Sequence, residues 1–307
     1  MVVSCAARRS HSSRTRPDQR IRFAHMDPEW KVEFIRLLSS AEQGDWAKAF
    51  GLKMDNRPGM LYRYRRGDER SIDAFRKNQM WFSPAARFND LYDSGVKIDV
   101  RASWKGISFR DALTTQAEKL SPDALQRLQN VESGAELESF LFEEASRLVG
   151  IEKARDVRTL VSTYLDRVSQ QTTVARSKLY RNAIWVACLS EDPVSRLMWA
   201  HYADNNRGFC IEHRIEPATP AGDPHKLLFP VVYTRMRFSQ SPESVGQNPL
   251  EPFLAALHKH PDWAYEREWR YVDLREPTTE PLRWSIDTPT RIILGHSIPG
   301  RQEGAPD

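Results

Sequence analysis

The chain has 307 residues, 45 Lys+Arg against 41 Asp+Glu, a net charge of +4 and a mean hydropathy of −0.60. With 40% hydrophobic residues, 9 Trp, 13 Phe and 9 Tyr it can build a core, which excludes disorder as its main state. No run approaches the roughly 18 apolar residues of a membrane-spanning helix.

The charge is unevenly placed. Residues 1–25 hold six arginines, from Arg8 to Arg22, against Asp18 alone, so the rest of the chain carries a net −1. Attraction to nucleic acid is therefore not a property of the body as a whole. Ser/Arg-rich and without an apolar residue between Arg8 and Arg20, residues 1–25 are expected to form a disordered basic extension. A basic arm, a transit-like presequence and a stretch upstream of a start at Met26 are its open readings, and the lack of an apolar segment disfavours export. The three cysteines, Cys5, Cys188 and Cys210, show neither zinc spacing nor a disulfide framework, so no metal site is expected and a reducing cytoplasm fits.

From Asp27 the positions Trp30, Phe34, Leu37 and Leu38 recur at helical spacing and predict an amphipathic helix over 27–50. After the turn Asn56-Arg57-Pro58-Gly59, residues 60–65 alternate as a strand does, with Tyr62 and Tyr64 on one face and Arg63 and Arg65 on the other. A short helix over 71–77 and a strand over 80–83 follow, and then a polar turn over 88–93. Residues 108–181 are nearly free of Gly and Pro and predict a helical insert. Strands return at 183–189, 209–213, 227–233, 263–274 and 291–294, with helices at 194–203 and 250–258 between them. The order favours an α+β fold: a mixed, mostly antiparallel central sheet with a helical insert between early and late strands. One domain over 26–300 and a disordered tail over 301–307 are expected.

The sharpest chemical feature is Glu266-Arg267-Glu268-Trp269-Arg270. On a strand, Glu266, Glu268 and Arg270 share one face, where two carboxylates a pleat apart repel and either raise a pKa or demand cations. The same spacing also suits an exposed cross-strand ladder of ion pairs. His201-Tyr202 ends a helix, where histidine can carry a proton and tyrosine can stack, or both can simply cap and pack. Asn89, Asp90 and Asp93 suit a ribose or cation contact, or an Asx-turn loop. Ser83 stands at an expected pocket lip. No P-loop, GxGxxG, HExxH or GxSxG pattern occurs.

Four segments together resemble the bacterial DUF2971 family: residues 61–65; residues 80–83 with 88–93; residues 188–211, including Leu197-Met198-Trp199-Ala200-His201-Tyr202-Ala203-Asp204; and residues 263–270. That family is defined without a known activity. The Glu-x-Glu pair is also similar to the third motif of ADP-ribosyltransferases, in which the last glutamate assists cleavage of the nicotinamide glycosidic bond, with Arg63 or Arg65 filling the first motif. That resemblance implies NAD as substrate of a transferase or glycohydrolase of effector or defence type. Glu268, Glu266 and His201 would then be catalytic, and Arg63, Tyr64, Ser83, Asn89, Tyr202 and Arg270 would hold the ligand. The alternative is a non-enzymatic module that binds a nucleotide or a nucleic-acid end through Tyr62, Tyr64, Trp81 and Arg65. On the first reading Arg63, His201 and Glu268 line one pocket.

Overall fold

The computed structural model describes residues 27–90, 92–102, 121–219, 222–241, 244–276, 278, 280–285 and 289–298. The expectations for residues 1–25, Met26, the start of the insert at 108 and the tail over 301–307 lie outside the described residues.

The leading apolar stripe forms α1 (Glu29–Leu38), burying Phe34, Ile35, Leu37 and Leu38. One helix through residue 50 is the expectation, but the chain breaks and restarts as α2 (Gln43–Asp55). At the break the Ser40 hydroxyl accepts from the Glu42 N–H at 3.1 Å, and the Trp46 indole donates to the Ser40 carbonyl at 2.7 Å. These side chains substitute for helical backbone bonds. Next come β1 (Met60–Arg65), α3 (Glu69–Arg76), β2 (Gln79–Trp81), β3 (Ser83–Pro84) and β4 (Val96–Ile98). Asp68 caps α3 by accepting the Ser71 N–H. The helical block comprises α4 (Pro122–Gln129), α5 (Gly134–Val149) and α6 (Ile151–Ala183), the first two capped by Ser121 and Ser133. After it the chain runs β5 (Ile184–Ser190), α7 (Arg196–Tyr202), β6 (Phe209–Arg214), β7 (Leu228–Pro230), β8 (Val232–Tyr233) and β9 (Phe238–Gln240). It closes with α8 (Glu251–Leu257), β10 (His258–Lys259), β11 (Glu268–Leu274), β12 (Arg283–Ser285) and β13 (Arg291–Leu294).

The central sheet has the order β13-β6-β1-β5-β11-β7, with β3 added on β5, and its pairings are all antiparallel. Small parallel pairs, β10 with β8 and β4 with β9, stand outside it. The α+β class and the mostly antiparallel sheet are thus as the sequence predicts. On one face Val186, Val272 and Phe229 pack with Phe34, Leu165, Tyr180, Leu254 and Leu257; on the other, Leu61, Trp185, Leu189, Trp269 and Tyr271 pack with Met80 and Phe82. No helix among the described residues is long and apolar enough to cross a membrane.

Three strand expectations are corrected. Trp81 does not join the central sheet: β2 pairs with β12, and the chain changes partner at Phe82, whose N–H donates to Leu282, before Ser83 pairs with Val186. The strand over 227–233 divides at Val231, whose N–H is taken by the Glu268 carbonyl. Finally, 263–274 is not continuous, because residues Pro261–Glu266 form a 3-10 helix in which the proline sets the first turn, and Arg267 ends it with a left-handed φ of 43°.

One irregularity positions everything below. β1 runs beside β6 for six residues and β5 beside β11 for seven, but β1 meets β5 only at Tyr62 opposite Ser190. β3 next takes up the same edge of β5 at Val186 and Trp185. Among the described residues the edge between them is left without a strand along 187–189, and the sheet is split there.

Candidate functional site

A cavity of about 380 Å³ opens at this split, lined by Tyr62–Arg65 of β1, by Ser83, and by Cys188, Leu189 and Ser190 of β5. Trp81, Arg87, Phe88, Asn89, Tyr202, Lys259 and the acidic end of β11 complete the wall. Of the residues singled out from sequence, Arg63, Tyr64, Ser83, Asn89, Tyr202, Glu266, Glu268 and Arg270 all line it. His201 does not. Its ring is exposed on α7 and leans toward Tyr265 at 6.2 Å between centroids, outside the cleft. The expectation that His201 shares a pocket with Arg63 is therefore corrected: at the end of α7 the residue turned toward the sheet is Tyr202, and its neighbour necessarily points elsewhere.

The acidic wall is a buried ion cluster. Arg270 is 0% exposed and grips Asp93 with both terminal nitrogens, Nη1 to Oδ1 at 2.7 Å and Nη2 to Oδ2 at 2.6 Å. Its Nε donates to Glu268 Oε1 at 2.7 Å and its Nη1 to the Ala256 carbonyl at 2.6 Å. Lys259 of β10 donates to Glu268 Oε2 at 2.8 Å and also to Glu266. The Glu266 carboxyl accepts from the Tyr202 hydroxyl at 2.7 Å. The notion of an exposed ladder is overturned, since Glu266 and Glu268 are 3% and 2% exposed. Nor does Glu266 reach the cluster from the strand. It ends the 3-10 helix, anchored by the Ser190 hydroxyl on its carbonyl at 2.7 Å, and meets Glu268 through their common lysine.

Three carboxyls thus surround two cations, so one negative charge is left without compensation. Glu268 lies between Arg270 and Lys259, and although burial opposes it, those two charges hold its carboxyl well below the usual range. Glu266 takes the opposite course: burial and the Glu268 charge push it up to about 7. Two glutamates of one motif therefore separate into a locked anion and a group that titrates near neutrality. The Tyr202 hydroxyl is pushed up by burial and by Glu266, and the Cys188 thiol by burial and by Glu268, so both stay protonated.

The opposite wall is cationic. Arg63 Nη2 donates to the Trp81 carbonyl at 2.6 Å, and burial with the neighbouring Arg65 pulls its pKa down to about 9. Among the described residues neither Arg63, Arg65 nor the exposed Arg87 has a carboxylate at ion-pair distance. By contrast, Arg270 and Arg57 are both paired, the latter with Asp223 at 2.7 Å. Behind Arg63, His213 is buried and pushed down to about 4, and so is neutral at neutral pH. Strand alternation sets Arg63 on the face opposite Tyr62 and Ser190, hence opposite Glu268. The two walls share a cavity because it passes through the split.

Asp93 and Lys259 were the residues hardest to read from sequence. Asp93 reads from sequence as a ribose or cation contact or as part of an Asx-turn loop, yet it is buried and ends in Arg270. For Lys259 the available signal is a single charge two positions after the apolar run Phe253–Leu257.

A cationic and aromatic cleft over a buried ion cluster, in a split antiparallel sheet, defines the class of site. Residues 198–271 match the family described as Protein of unknown function (DUF2971), a stretch that includes Tyr202, Lys259, Glu266, Glu268 and Arg270. No curated protein and no solved structure matches the chain, and the likeness to ADP-ribosyltransferases finds no support in these comparisons.

Proposed function

We propose that the cleft binds a nucleotide, with phosphate on Arg63, Arg65 and Arg87 and the base against Tyr62, Trp81, Phe88 or Tyr202. One observation carries this reading: three guanidiniums without carboxylate partners line the same cavity of about 380 Å³ as four partly exposed aromatic rings. Guanidinium is the side chain suited to bidentate phosphate contact, aromatic rings accept any base, and the volume suits one small ligand. The test is a thermal melt with ADP, NAD and adenosine. ADP and NAD should raise the melting temperature, adenosine should do so far less, and Arg63→Ala and Arg65→Ala should abolish the shift. A protein indifferent to all three ligands would refute the proposal.

A second reading, that NAD is turned over, is favoured by the Glu266 carboxyl poised near neutrality on the cleft wall. The bond between the ribose C1′ and the nicotinamide nitrogen breaks, nicotinamide leaves with the bonding pair, and ionised Glu266 stabilises the oxocarbenium-like ribose. Glu266 then takes the proton of the incoming water or acceptor hydroxyl. What favours Glu266 over Glu268 here is that Arg270 and Lys259 hold Glu268 as a locked anion, whereas Glu266 titrates near neutrality. Release of nicotinamide by the wild type and not by Glu266→Gln is the expected result; equal release by both would remove this reading and leave nucleotide binding standing.

A further inference from the structure

The positive charge of the cleft extends beyond what a mononucleotide would use. Residues 60–87 hold seven basic side chains against three acidic ones, a local +4 on a body whose net charge is −1. Arg66 and Arg70 are exposed and, among the described residues, have no carboxylate at ion-pair distance. Arg283 is the same, and it stands on β12 directly opposite Trp81. The guanidinium carbons of Arg70 and Arg283 lie 4.3 and 4.8 Å from the centre of the Trp81 ring, and Trp81 lines the cleft. Two arginines from different elements are thus held on one indole at the cationic end of the cavity.

We infer that the ligand is the end of a single-stranded nucleic acid, whose terminal nucleotide enters the cleft while the adjoining phosphates lie on Arg66, Arg70 and Arg283. This rests on the nucleotide reading of the cleft. Guanidiniums held on an aromatic ring keep their N–H donors for phosphate and present planar faces to unstacked bases. A cavity sized for one small ligand excludes a base pair, so a duplex end does not fit. The acidic cluster on the other wall repels phosphate, which fixes the approach to the Trp81 side.

The test is fluorescence anisotropy of the full-length chain with a labelled single-stranded oligonucleotide of about eight residues, longer than the cleft and rim together require. Binding should weaken about 20-fold between about 50 and 200 mM salt, as expected for about three phosphate contacts to a single strand. Because residues 1–25 carry net positive charge in every variant, the comparison between variants decides. Arg70→Glu combined with Arg283→Glu should weaken the oligonucleotide about tenfold or more while lowering the ADP thermal shift far less than Arg63→Ala does, and Lys153→Glu, on remote α6, should change neither. An unchanged oligonucleotide affinity in the double variant, or equal competition by a duplex of the same length, overturns the inference. Should ADP fail to bind while the double variant still weakens the oligonucleotide, the cleft reading falls and insertion of the end falls with it.

Discussion

Glu266 and Glu268 differ in chemistry because of what surrounds them. A carboxyl raised in the fold binds its proton more tightly folded than unfolded, so its contribution to stability is complete below its ordinary value of 4.5 and is lost as the pH climbs through about 7. Wild type should therefore lose stability relative to Glu266→Gln between about pH 5 and pH 8, by of order 2 kcal/mol. Urea denaturation across that window measures the difference, and parallel curves would show that Glu266 does not titrate there. Glu268 has the opposite sign: held low by Arg270 and Lys259, it contributes above 4.5 and the contribution is lost as the pH falls. Glu268→Gln leaves Asp93 and Glu266 to balance Arg270 and Lys259 but removes the carboxylate that both cations bond, and should cost about 1.5–3 kcal/mol. A midpoint unchanged from wild type would mean that water, rather than Glu268, satisfies those cations.

At the scale of elements, the site depends on where strands stop. Arg267, left-handed between the 3-10 helix and β11, turns Glu266 back toward Lys259. Gly208, between the end of α7 and β6, lets the backbone of β1 approach closely: a Cβ there would lie 2.1 Å from the Arg65 carbonyl and 3.0 Å from that of Ala203. Both neighbours are backbone, so nothing flexible can yield. Gly208→Ala should push β1 from β6, destabilise by about 1–3 kcal/mol and shift Arg63 and Arg65. Nucleotide-induced stabilisation should fall in this variant even where the protein remains folded, as a thermal melt with and without ADP can show. Retained stabilisation would mean that the end of β1 does not set the cleft.

For the molecule as a whole, the split between β1 and β5 makes the sheet two ribbons joined at one residue pair, and a ligand lodged in the gap touches both. Hydrogen exchange should accordingly slow on ADP binding along residues 60–65 and 186–190, while α5 and much of α6, which pack against each other away from the gap, should be unaffected. Uniform protection of the whole chain, or none near the split, would place the ligand elsewhere.

The amino-acid sequence by itself determined the fold class, the alternation of β1, the helical block, the DUF2971 resemblance and most of the cleft wall, because these depend on local periodicity and on motif residues a few positions apart. It misplaced Trp81, which formed a convincing strand locally but found its partner in β12, some 200 residues later. It could not say which glutamate would titrate. That depends on Asp93, Lys259 and Arg270, which come from a turn, a strand of two residues and β11, and meet only when the sheet is assembled. Whether Arg63 and Glu266 could share a ligand was likewise undecided, because strand alternation puts Arg63 and Glu268 on opposite faces and only the gap in the sheet joins the two walls. Burial converts charges that would be unremarkable at a surface into a cluster whose members set each other's protonation, and burial is a property of the assembled fold.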